Sequence, residues 1–83
     1  MTEGKISTAI GFSVVHVTRH IMERYSVDCE EAFKRLMKTM FYKLLNDPET
    51  RLYLEENAFL DDCYDIETER GTDNLLEFIV EPY

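Results

Sequence analysis

The run from Ile6 to Tyr25 constrains the fold more than any other part of the chain. Ile6, Ile10, Val14, Val17, Ile21 and Tyr25 follow one another at intervals of 4, 4, 3, 4 and 4. That spacing lines one face of an α-helix. Val15, Thr18 and Met22 widen the face, so a helix from about Ser7 to Tyr25 is expected at the centre of the fold. Gly11 weakens this helix by about 1 kcal/mol relative to Ala and is expected to let another helix approach closely.

Further helices follow from their start signals. In "SVDCEE", Asp28 is an N-cap and Glu31 stands three residues on, the capping-box spacing. The helix after it is expected to bury Cys29, Ala32, Phe33, Leu36, Met37, Met40 and Leu44, with a break possible near Thr39. Phe33 and Leu36 should share one core with Val17 and Ile21. In "NDPE", Asp47 caps and Pro48 takes the first helical position. A short helix or turn then carries Leu52 and Leu54. Residues 58–70 form an amphipathic helix with Phe59, Leu60, Cys63, Tyr64 and Ile66 on one side. Asp61, Asp62, Asp65 and Glu69 lie opposite and are expected to face solvent. Glu67 points toward the apolar side, with Arg70 its nearest expected partner. Gly71 ends that helix, and "TDNLLEFIV" reads as a last helix in preference to a strand. The fold class is all-α, a compact single domain of four to five short helices over residues 1–83.

Charge narrows the function classes. The net charge is -8, which disfavours direct binding to nucleic acid or an anionic membrane, since both need basic surface. The charge is uneven. Residues 1–45 hold seven Lys/Arg against five Asp/Glu, a net of +2, and residues 46–83 hold two against twelve, a net of -10. Such asymmetry marks either a partner surface or two halves that attract each other within the fold. Ser7, Thr8, Gly11, Ser13 and His16 interrupt the apolar stretch from Ile6 to Val17, so it does not read as a signal core. Cys29 and Cys63, without CxxC spacing, are expected to be buried reduced thiols in the cytoplasm.

Candidate chemistry is sparse. "DIETERG" has acids at alternate positions, but its glycine falls one place late for a calcium loop. Leu76 also stands where the bidentate Glu belongs. His16 and His20 share a helix face at a spacing that suits zinc, but no HExxH pattern surrounds them. They are read as solvated, with a small metal-dependent enzyme as a minor alternative. Cys29 sits at a helix N-terminus, which favours a thiolate, yet it also continues an apolar stripe. No cofactor is implied. Phe12, Phe41 and Tyr42 fall off the assigned stripes; they either pack against a third helix or form an exposed partner patch, with Lys34, Lys38 and Lys43 as its basic rim, and the patch is the reading taken for the partner surface. The expected contact is a homodimer or a heterologous complex covering Phe41 or Tyr42. A second copy's acidic helix would meet the lysines.

"GFSVVHVTRHIMERYSVDCEEAFKRLMKTMFYKLL" resembles the start of a family of short bacterial proteins known as a domain of unknown function. The likeness rests on the apolar helix from Ile10 to Tyr25, then Ala32, Phe33 and Leu36, then Phe59 and Leu60 before Asp61 to Gly71. Where the family commonly carries Leu-His, this chain has Leu52 and Tyr53. The resemblance covers residues 10–71 and implies an antitoxin-like or accessory partner of a neighbouring ADP-ribosyltransferase-like protein. The residues and the resemblance together lead to a non-enzymatic protein-interaction module. The alternative is an acidic nucleic-acid mimic occupying a basic cleft.

Overall fold

The computed structural model describes residues 3–80, and among them every regular element is helical. The α-helices are α1 (Glu3–Tyr25), α2 (Cys29–Met37), α3 (Met40–Asn46), α4 (Asn57–Arg70) and α5 (Thr72–Val80). Two 3-10 turns, Pro48–Thr50 and Leu52–Leu54, join α3 to α4. Among the described residues the fold is thus all-α with five α-helices. None of the described helices is long and apolar enough to cross a membrane.

Local chemistry sets the boundaries. After Tyr25 the backbone turns left-handed at Ser26, φ 54°. The Val27 N–H then bonds back to the Met22 carbonyl at 3.3 Å, which closes α1 in a Schellman motif. The Asp28 carboxylate accepts the Glu31 N–H at 2.8 Å. Glu31 itself pairs with Arg35 at 2.9 Å, so half of the capping box forms. The break near Thr39 is real. The Thr39 hydroxyl accepts the Tyr42 N–H at 3.0 Å and donates to the Leu36 carbonyl at 2.7 Å, ending α2 and starting α3. Asp47 caps the first 3-10 turn through the Glu49 N–H at 3.0 Å. Gly71, φ 96°, ends α4.

The central place expected for the first helix is observed, because α1 packs against α2, α3 and α4, while α5 lies on α4. Val17, Ile21, Leu36, Phe41, Leu45, Leu60, Cys63 and Leu75 are fully buried. Phe33 departs from the single core expected for it: it is half-buried and stands outside the cluster that holds Val17, Ile21 and Leu36. Gly11 corrects an expectation: a Cβ there would meet nothing within 4 Å, so none of the described helices approaches it closely.

Candidate protein-docking surface

On the flank of α1 turned toward α2, an open groove of about 440 Å³ is lined by Val14, Val15, Thr18, Arg19, Met22, Cys29 and Phe33. On the helical wheel Val14, Thr18 and Met22 lie beside the core stripe of α1, so this flank is a lateral extension of the apolar face. Thr18 adds no unsatisfied polarity, since its hydroxyl donates to the Val14 carbonyl at 2.7 Å. A second hollow of about 350 Å³ runs toward α3 past Ile10, Gly11, Tyr42 and Asn46, and it shares Val14 and Phe33 with the first. The Phe33 and Tyr42 rings meet edge to face, centroids 6.0 Å apart, and both line the second hollow. Val15, in the lining of the groove, is 52% exposed, and Phe12, one turn before it on α1, is 73% exposed. Met37, one turn beyond Phe33 on α2, is 42% exposed.

The expected patch of Phe12, Phe41 and Tyr42 is therefore divided. Phe12 is exposed and Tyr42 half-buried in the second hollow, but Phe41 is fully buried. The wheel drawn through Leu36, Met40 and Leu44 as one helix is the cause. Thr39 restarts the helix, so Phe41 and Leu45 turn inward, and Met40 turns outward at 39% exposure. Lys34, Lys38 and Lys43 are exposed, and Lys34 pairs with Glu30 at 3.4 Å. Cys29 is exposed, contrary to the buried thiol expected, and Cys63 is buried. Burial pushes the Cys63 thiol up to about 12 and raises the Tyr64 hydroxyl beside it.

The histidines and the acidic face of α4 also read differently once folded. His16 Nε2 lies 3.0 Å from Asp61 and His20 Nε2 lies 3.0 Å from Asp65, while Arg24 reaches Glu69 at 2.8 Å. Each pair is separated by 45 positions. A constant offset means that α1 and α4 run parallel, joined by a polar ladder at every turn. His20 Nδ1 also faces Asp61 at 3.7 Å, and the Tyr25 hydroxyl donates to Asp65 at 3.3 Å. The hydrogen bond to Glu69, with Tyr25 and Asp65 nearby, raises the Arg24 guanidinium further above its ordinary range. The expectation of solvated histidines against a solvated acidic face thus fails at Asp61 and Asp65, because α4 turns them toward α1. Asp61 Oδ1 is buried and has no hydrogen-bond partner among the described residues. No group of three His, Cys, Asp or Glu among those residues is arranged to hold a metal ion.

Glu67 has a structural use that its sequence position did not reveal. Its carboxylate accepts the N–H groups of Met40 and Phe41, both at 2.7 Å, so it caps α3 from α4 in place of pairing with Arg70. The sequence signal was a carboxylate on an apolar face, which in a folded chain needs donors. Comparison with known proteins gives no match to any family model, curated protein or solved structure.

Proposed function

We propose that the chain is a non-enzymatic protein-interaction module that receives a partner along the α1–α2 groove. The observation that carries this reading is the groove itself, apolar and open, with Val15 of its lining left in solvent and Phe12 exposed one turn away on α1. Burying such residues against another chain contributes about 1.5–3 kcal/mol each when complete, and contiguous exposed apolar surface is the usual sign of a protein contact. Arg19 at the lip favours a partner segment with a carboxylate beside its apolar anchors. The family resemblance directs the choice of partner to an ADP-ribosyltransferase-like neighbour, which the chain would assist or neutralise in the cytoplasm. The nucleic-acid-mimic reading is weaker, because Asp61, Asp65 and Glu69 are engaged with α1 and leave Asp62 alone of the supposed phosphate-like face.

The test compares tagged wild type with Val15→Glu and Leu54→Glu in the native host by quantitative mass spectrometry. Leu54 is a control, an apolar residue 63% exposed and outside the groove. A co-purifying protein lost with Val15→Glu and kept with Leu54→Glu supports the docking face. Equal recovery from all three chains contradicts it.

A further inference from the structure

The surface of α5 offers a match to this groove within the same sequence. Asp73, Leu76, Glu77 and Val80 recur at i, i+3, i+4 and i+7 and form one stripe of that helix. All four are exposed, Leu76 at 41% and Val80 at 73%. The inward side of α5 is already used, with Leu75 fully buried and Phe78 stacked on Phe59 at 5.1 Å between centroids. The stripe therefore carries two aliphatic anchors one turn apart with two carboxylates beside them. An amphipathic helix recognised in a groove presents this pattern of anchors. The groove presents the complement: apolar walls from Val14, Val15, Met22 and Phe33, with the guanidinium of Arg19 at its lip. Among the described residues, neither Arg19 nor Asp73 nor Glu77 makes an ion pair.

Resting on the docking role of the groove, we infer that its occupant includes a second copy of this chain, whose α5 lays Leu76 and Val80 into it and sets Glu77 against Arg19. The contact is head-to-tail. On α1 the groove residues Val14, Thr18 and Met22 lie about half a turn of the wheel from His16, His20 and Arg24, which face α4. Because α5 sits on α4, groove and stripe occupy separate flanks of one molecule. A contact between two different patches is heterologous, so it builds open chains unless its rotation closes a ring. Only one helix face and one groove meet, which places the interface at the small, transient end of the size range. The net charge of -8 opposes association. At physiological salt that repulsion is screened beyond about 8 Å, whereas the Arg19 contact is short-range.

Analytical ultracentrifugation of the purified chain tests this at physiological salt. Wild type should associate reversibly and pass beyond dimers as its concentration rises toward about the millimolar range. Val15→Glu blocks the groove and Leu76→Ser/Val80→Ser blocks the stripe, all at exposed positions, and circular dichroism confirms that each variant is folded. Arg19→Glu replaces Val15→Glu if that chain loses helicity. Each variant alone should associate at least tenfold more weakly. Mixed in equal amounts, they retain one intact groove and one intact stripe and should form a dimer that goes no further. A monomeric wild type, self-association unchanged in either variant, or a mixture that stays monomeric overturns the inference. A monomeric wild type whose Val15→Glu variant still loses a cellular partner would leave the docking face standing with a different occupant.

Discussion

Ser26 holds the left-handed backbone that ends α1, a conformation that costs an ordinary L-residue about 1–2 kcal/mol. Ser26→Gly removes that cost and loses about 0.5–1 kcal/mol to backbone entropy. A net gain in stability is expected, read as a higher urea midpoint; a lower midpoint would show that the serine side chain contributes something the backbone does not reveal. Gly11 is the reverse case. It is helical, exposed and open around its missing Cβ, so Gly11→Ala should stabilise by about 1 kcal/mol. The cysteines differ by burial. One alkylation adduct, on Cys29, is expected on the native protein and two after denaturation; rapid native modification of Cys63 would contradict its burial. The capping residues Asp28, Asp47 and Gly71 were legible in the sequence because each acts on its immediate neighbours. Ser26 was not, because serine carries no signal for a left-handed conformation that glycine would normally fill.

Between elements, Glu67 ties the start of α3 to the body of α4. Glu67→Ala leaves the Met40 and Phe41 N–H groups without their acceptor, and a lost cap of this kind costs about 0.5–2 kcal/mol. Thermal melts should show that loss, with Glu67→Gln falling between alanine and wild type; an unchanged melting temperature would mean that the cap contributes nothing. The α1–α4 ladder is tested by a double-mutant cycle on His20 and Asp65, for which a coupling on the order of 1 kcal/mol is expected. Additive single effects would contradict a direct pairing. Neither contact could be read from the sequence. The helical wheel shows which residues share a face, and the parallel register that brings position 16 to position 61 is a property of packing. The wheel also misplaced Phe41, because a stripe continued across Thr39 loses its phase when the helix restarts there.

For the whole molecule, the uneven charge of the two halves resolves in part as internal attraction, since Arg24 of the N-terminal half pairs with Asp65 and Glu69 of the C-terminal half. The core supplies the rest of the stability. Leu36, fully buried, should cost about 2–5 kcal/mol when changed to Ala. Alkaline pH bears on the same core. Cys63 ionises at about 12 when folded against an ordinary 9.0, so the folded chain holds that proton more tightly. The contribution of Cys63 to stability should therefore be level below about pH 9 and fall as pH rises from there toward about 12, with Tyr64 acting in the same direction. Cys63→Ala should flatten part of the decline in urea midpoint, and an identical slope would contradict the assignment. These terms account for the interior and leave the exposed side of the α1–α2 groove, Val15 and Arg19, without a role in the fold. Its use as a docking face is the central claim, and site-specific photocrosslinking in the native host tests it most directly. A photoreactive residue in place of Phe12 should trap a discrete protein, either a partner or a second copy of this chain, while the same residue in place of Leu54 should trap none. Matching products from both positions, or none from Phe12, would contradict it.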